Sequence, residues 1–363
     1  MDIRELFTPA AVAAAWEENA SNRIPYIGEA LFPARKKAGL DLSWIRGAKG
    51  LPVSLMPTAF DAKATFRDRP GFKKTETEMP FFREGFKIKE KDRQELLRVS
   101  ESNDPYLEMV LANVYDDANN LIEGAMVVPE RMRMALLFPT NGNPGISFKA
   151  NGVDYTYNYD ADNAWKGDAG NSVQGNYFAL SGTALWTATS TANPFGDFKT
   201  ANDFVGGKTG SELRIALMNK YTFNLLANTQ AVKDRFLTTT GRSIGFISDA
   251  DAAAVVADVT GITPVVYDKQ YKDESGVVQK FVPNGYVALL PDGAIGSTWY
   301  GTTPEEADLL GGGTDAKVAI VETGVAITQI IDKHPVNVNT FASEIVLPSY
   351  ERMDEVALLK VIA

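Results

Sequence analysis

Apolar positions recur at helical spacing over one long stretch of this chain and at strand spacing over several short ones. Leu107, Val110, Leu111, Val114, Ala118, Leu121, Ile122 and Ala125 share one helical face, opposite Asn113, Asp116, Asn120 and Glu123. Asp104-Pro105 supplies an N-cap with proline in the first helical position. Pro139-Thr140-Asn141-Gly142 closes the pattern, so a helix is predicted over about 104–138. At 1.5 Å per residue it spans roughly 50 Å. Pro129 lies inside it and should kink it or end its first section near Val128.

Ahead of the long helix the pattern is different. Thr8-Pro9 opens a short helix over Ala10 to Glu18. Ile24-Pro25-Tyr26, Leu31-Phe32-Pro33 and Leu51-Pro52-Val53 then space apolar residues with prolines, which favour extended chain. Trp16, Tyr26, Ile27, Phe32 and Trp44 have too little periodicity to form a core of their own. The segment is expected to lie along another surface, its own or a neighbour's. Residues 53–90 read as a β-hairpin. Its first arm includes Ala62 to Phe66, its tip is Arg67-Asp68-Arg69-Pro70-Gly71-Phe72-Lys73-Lys74, and its return arm is Glu76 to Glu90. A two-stranded ribbon is marginal alone in water. It is therefore either an ordinary surface hairpin or a protruding loop that docks on another subunit.

Beyond the long helix, Ile146 to Ala150 and Val153 to Tyr159 form a hairpin across Asn151-Gly152. Residues 160–192 are rich in Asp, Asn, Gly, Ser and Thr and read as loop or insertion. Helices are predicted over Phe195 to Val205, Gln230 to Leu237 and Asp249 to Val259. Strands are predicted over Leu213 to Leu217, Tyr221 to Leu226, Ile262 to Tyr267, Tyr286 to Leu290, Lys317 to Val321, Val336 to Val346 and Val356 to Val361. Helices and strands are segregated rather than alternating, which makes the fold class α+β.

Composition narrows the function classes. The 363 residues are 45% hydrophobic and 23% charged, enough to bury a core and against wholesale disorder. No run of 18 apolar residues suggests a membrane span, and the acidic start MDIRELFTPAAVAAAWEE lacks the basic region of a secretory signal. The chain has no cysteine and one histidine, so disulfides, thiolate metal sites and most His-based sites are excluded. Thirty-six basic residues against 46 acidic ones, a net charge of −10, make a dedicated nucleic-acid binder a poor fit.

The chemical motifs fail one by one. Gly207-Lys208-Thr209 has Asn202 where a phosphate-binding loop needs glycine. Gly311-Gly312-Gly313 reads as a linker. Asp160-Ala161-Asp162-Asn163 continues into Ala164 and Trp165 where a calcium loop needs a ligand and a glycine, and is read as a solvated turn. Asp116-Asp117 and Glu305-Glu306 are adjacent pairs that cannot share a helix face, and read as surface charges. His334 sits in the turn Asp332-Lys333-His334-Pro335 with no nucleophile motif near it. No catalytic residue, cofactor site or metal site is assigned.

Taken in order, the parts resemble the Hong Kong 97-type capsid fold, and more closely the phage lambda major head protein family, major capsid protein E. The residues carrying this are Asn103-Asp104-Pro105-Tyr106, Phe281-Val282-Pro283-Asn284, the run Val287 to Gly296 with Tyr300-Gly301, and Pro348-Ser349-Tyr350 with Asp354 to Val361. The resemblance implies an N-terminal arm (1–52), an extended loop (53–92) and a peripheral domain (93–192) on a spine helix at 104–138. It further implies an axial domain (193–330) and return strands of the peripheral domain (331–363). The implied function is a head protein assembling from hexamers and pentamers into an icosahedral shell around double-stranded DNA, touched only non-specifically. Implied partners are other copies of the chain, a separate scaffolding protein, a portal and, in some members, a decoration protein; the place is the virion, assembled in the host cytoplasm. Inter-subunit contact candidates are Trp16, Tyr26, Phe32, Trp44, Arg67, Asp68, Arg69, Phe72, Lys73 and Lys74. An encapsulin-like compartment and a soluble α+β enzyme using carboxylates are the alternatives.

Overall fold

The computed structural model describes residues 8–18, 25–46, 73–88, 106–150, 152–168, 173–241, 247–311, 317–321, 323–333 and 336–363. The chain divides into two compact units. The first holds Met1–Leu42, Glu76–Met132 and Ser297–Ser349; the second holds Ser43–Thr75, Arg133–Gly296 and Tyr350–Ala363.

A six-stranded sheet organises the first unit. Numbered along the chain, its strands are β1 (Ala34–Lys36), β4 (Phe81–Ile88), β15 (Ser297–Tyr300), β16 (Lys317–Val321), β17 (Val325–Lys333) and β18 (Val336–Ser349). The 14 residues of β18 pair antiparallel with β17, with β4 and, at the C-terminal end, with β15, to which β1 adds in parallel. Alternation along the strands sends Val321, Val325, Ile327 and Ala342 to one face. There they form a core with Val12, Ala13 and Trp16 of α1 (Pro9–Glu18) and with Ile122 of the long helix. A short helix, α2 (Ile27–Leu31), interrupts the proline-spaced segment that the sequence reads as extended.

The long helix, α3, runs Tyr106–Leu137, 32 residues or roughly 48 Å. It passes through Pro129 without ending, so of the two effects expected of that proline the break near Val128 does not occur. Proline in a helix interior costs about 3 kcal/mol. Buried side chains on both sides of it, Ile122, Glu130 and Met132, hold the helical path. Its cap, Asp104-Pro105, lies outside the described residues.

The segment read as one return arm is two strands, β3 (Lys73–Glu78) and β4, broken at Met79-Pro80. β3 pairs with β2 (Asp41–Arg46). Lys73 and Lys74 are thus in a strand, not in the turn the sequence suggests. The first arm of the predicted hairpin and Arg67, Asp68, Arg69 and Phe72 lie outside the described residues.

In the second unit the order of the five-stranded sheet is β11 (Thr263–Val266), β10 (Leu213–Met218), β14 (Tyr286–Pro291), β19 (Ala357–Lys360), β9 (Tyr177–Ala179). Four helices supply its core: α4 (Pro194–Thr209), α5 (Lys220–Asn228), α6 (Gln230–Thr240) and α7 (Asp249–Thr260). Phe198, Val205, Phe223, Leu226, Val232 and Val256 meet Ala216, Met218, Val287, Leu289 and Leu359. The hairpin β5 (Gly145–Ala150) and β6 (Val153–Asn158) has the expected register, Ala150 opposite Val153, with Gly152 at φ 79°. Two small ribbons complete the unit: β7 (Gly167–Asp168) with β8 (Val173–Gln174), and β12 (Gln270–Lys272) with β13 (Val278–Lys280).

Two further readings are overturned. Tyr221 to Leu226 is helix, not strand: Asn219 caps α5 by accepting the Thr222 N–H at 2.9 Å, and Phe223, Leu226 and Ala227 fall on its buried face. The described residues of 160–192 run mostly as turn and loop, as read, but they are packed into the unit. Trp165, Asn176 and Trp186 are fully buried, and β9 is a strand of the central sheet. Asp160, read as solvated, is buried and accepts the N–H groups of Trp165 and Lys166 at 2.9 and 3.0 Å.

Candidate functional site

The N-terminal aromatic residues come first, because local sequence offered them no core. Each is buried within its own chain. Trp16 packs with Val12, Ile122, Val325 and Ile327. Phe32 is fully buried, and its carbonyl accepts the Thr298 hydroxyl at 2.9 Å. Gly28 donates its N–H to Glu130 Oε1 at 3.2 Å. Burial, followed by the carboxylates of Glu130, Glu123 and Glu29, raises the Tyr26 phenol well above its ordinary range. Trp44 stacks on Tyr159 with 5.3 Å between ring centroids. Of the two surfaces the sequence left open for this segment, the chain's own covers these four side chains. Apart from Val12 and Glu29, their partners stand about a hundred or more residues away, where local periodicity cannot register them.

The root of the arm and the root of the hairpin meet one short helix. That helix, α8 (Pro304–Gly311), starts as a capping box, Thr303-Pro304-Glu305-Glu306. Thr303 is buried and its hydroxyl accepts the Glu306 N–H at 3.2 Å. The Glu306 carboxylate does not complete the box by turning back. It binds Lys36 Nζ on β1 at 2.6 Å. Glu305 forms an ion pair with Arg83 on β4 and accepts the Ser343 hydroxyl on β18 at 2.9 Å. Ser343 and Arg83 are direct cross-strand partners, so their side chains leave the sheet on the same face and converge on one carboxylate. Both glutamates keep only about a tenth of their side-chain surface exposed, 11% and 12%. The sequence reading of them as surface charges fails, although the two do point to different partners, as adjacent helix positions must. The capping-box spacing was the one signal in the sequence that could have singled them out.

Elsewhere the polar groups are spent on structure. Lys208 of Gly207-Lys208-Thr209 closes a helix and donates to Asn176 Oδ1 at 3.1 Å. Glu355 accepts from Arg352 at 2.6 Å and from the Ser211 hydroxyl at 2.6 Å. Burial alone would raise its carboxyl, but those partners outweigh burial and hold it below the ordinary range. Asp197, which accepts the Trp186 indole N–H at 2.8 Å, is shifted the other way, because burial prevails over that bond. Among the described residues no group of three or more His, Asp or Glu side chains could hold a metal ion, and no helix is long and apolar enough to cross a membrane. His334 and the Gly312-Gly313 run lie outside the described residues.

Three solved structures show the same architecture. A putative capsid protein of a prophage of E. coli CFT073 superposes with a TM-score of 0.61 at 14% identity, covering 98% of this chain and 99% of that one. A phage-related protein from Bordetella bronchiseptica RB50 gives 0.54 at 14%, covering 97% of each. The capsid of cyanophage A-1(L) gives 0.50 at 13%, covering 93% and 92%. No curated protein sequence matches significantly. Identities this low establish the fold alone, a Hong Kong 97-type capsid fold; membership comes from the family model. The model for phage major capsid protein E matches residues 8–361, and the chain belongs to that family of shell-forming head proteins.

Proposed function

We propose that this chain is the tile of an icosahedral head that encloses the double-stranded DNA of a tailed phage, assembled from hexamers and pentamers in the host cytoplasm. Family membership across residues 8–361 carries the proposal. Residues 193–330 serve as the axial domain around the five- and six-fold axes. The long helix α3 is the spine of the peripheral domain, 93–192 with the return strands 331–363. The arm (1–52) and the extended loop (53–92) reach neighbouring subunits. Arg67, Asp68, Arg69, Phe72, Lys73 and Lys74 make the contacts to the next subunit, where mixed charge sets register more than affinity. Trp16, Tyr26, Phe32 and Trp44 support those contacts from behind by fixing the arm to its own chain.

The net charge of −10 suits a container wall, because a lining that neutralised phosphates would hold the packed DNA. The role is structural, with no catalytic step, and scaffolding, portal and decoration functions belong to separate proteins. Electron microscopy of the purified full chain tests the proposal. Closed shells or hexamer–pentamer sheets support it, and a stable monomer at high concentration overturns it. Particles that close but never contain DNA when made during infection overturn the DNA-container role and leave an encapsulin-like compartment.

A further inference from the structure

The clasp on α8 rests on the capsid reading and extends it. We infer that Glu305 and Glu306 are positioning residues for assembly: two adjacent carboxylates that separately fix the hairpin root and the arm root, and so set the angles at which both leave the subunit. The geometry has four parts. The carboxylates sit at the second and third positions of one helix, behind the Thr303 cap and Pro304, so α8 presents them from a fixed first turn. Each faces a different strand, Arg83 of β4 for Glu305 and Lys36 of β1 for Glu306. Both are largely shielded from water while their cationic partners are more open, 45% exposed for Arg83 and 33% for Lys36. Charge-assisted contacts to a carboxylate shielded from water are among the stronger hydrogen bonds, so each should tie its strand to α8.

The two strands involved adjoin the arm and the extended loop, the segments that the proposed function assigns to contacts with neighbouring subunits. β4 is the descending side of the extended loop, and β1 follows the arm that packs through Trp16 and Phe32. β1 has just three residues, all exposed, and pairs only along β15 among the described residues. Arg35 lies over the Trp299 ring, 5.6 Å from its centroid, and Lys36 carries the ion pair from β1 to α8. β4 has a long ladder to β18, but Arg83 is where Glu305 and Ser343 bind both strands at once. One helix therefore carries two independent ties, and neither depends on the other's strand.

Hydrogen exchange on the unassembled full chain, with Glu305→Gln, Glu306→Gln and the swap Lys36→Glu/Glu306→Lys, tests this. Glutamine keeps the shape and the hydroxyl contact and removes the charge. Glu305→Gln should speed exchange about three- to ten-fold across Phe81–Ile88 and leave Ala34–Lys36 unchanged, as expected for losing one half-buried ion pair. Glu306→Gln should do the reverse, and the swap should restore protection at β1. Exchange that rises equally in both segments, or in neither, overturns the clasp, and so does a swap that fails to restore. In the assembly arm, each single variant should lose closed shells of wild-type size in favour of open sheets, tubes or particles of other sizes. Wild-type shells alongside normal shells from both variants overturn the role in assembly. A wild-type chain that forms no shells defeats the capsid reading instead, and the exchange pattern still decides whether the two ties exist.

Discussion

Phe341 lies across the bare backbone of its cross-strand partner Gly85, so close that a Cβ on Gly85 would stand 2.3 Å from Phe341 Cδ1 and 2.8 Å from the Thr340 carbonyl oxygen. Phe341 and Gly85 thus form one of the contacts that seat the hairpin root on β18. The glycine is needed for space and not for an unusual backbone angle. Replacing it with alanine forces either the ring or the strand to move, an overpacking cost of about 1–3 kcal/mol. Gly85→Ala should lower the denaturant midpoint of the unassembled chain. Adding Phe341→Leu should recover part of the loss, but not all, because the Thr340 carbonyl remains in the way.

Trp16 tests whether the arm belongs to its own chain. Fully buried in the first unit's core, it should destabilise the unassembled protein by about 3–5 kcal/mol when cut to alanine. Chemical denaturation at a concentration below assembly measures this. A loss that shows only in assembled particles would mean that the side chain packs against a neighbour.

Asp197 and Glu355 give opposite signs with pH. The folded Asp197 carboxyl has a raised pKa, so the native state holds that proton more tightly than the unfolded chain does. Its contribution is complete at pH below the ordinary aspartate range and is lost as pH rises through the raised value. Asp197→Asn keeps an oxygen for the Trp186 indole and should remove that part of the pH dependence, making the protein more stable relative to wild type at neutral pH. Glu355 is lowered, so its contribution is present above the ordinary glutamate range and is lost as pH falls through the folded value. Glu355→Gln should flatten the acid limb of the stability curve and reduce stability at neutral pH. Thermal melts of the unassembled chain between acid and neutral pH separate the two.

The buried Asp160 carboxylate answers two backbone N–H groups, those of Trp165 and Lys166. Asp160→Ala leaves both donors without their acceptor and should cost about 1–3 kcal/mol. Asp160→Asn retains one acceptor oxygen and should cost less. Calcium should not change the melting temperature of wild type or either variant, and a rise with calcium would mean the turn is an ion site after all.

Residues 67–72, the part of the hairpin tip that precedes β3, provide the assembly test. Replacing them with a Gly-Ser linker of the same length should leave the circular dichroism and melting of the unassembled chain unchanged and abolish shell formation. Normal shells from that variant would remove the tip from the list of inter-subunit contacts.

Local order was legible in the sequence wherever residues answer to near neighbours. The helical face from Leu107 to Ala125, the helix start at Thr8-Pro9, the Gly152 turn and the apolar run from Tyr286 to Leu290 depend on spacings of one to four residues, which the chain displays openly. Composition likewise excluded thiol chemistry, and the order of these parts sufficed to suggest the family. Tertiary structure decided the remainder. Tyr221 to Leu226 has enough apolar and β-branched character for either state, and the cap at Asn219 with burial of Phe223 and Leu226 selects helix. Pro129 stays within α3 because the packing around it outweighs one lost hydrogen bond. Trp16 and Phe32 find cores formed by residues some 100 to 300 positions away, and Glu305 and Glu306 find cations on two other strands. A linear pattern shows which side chains want burial or a counter-charge, but the partner that satisfies each is set by which strands the fold brings side by side.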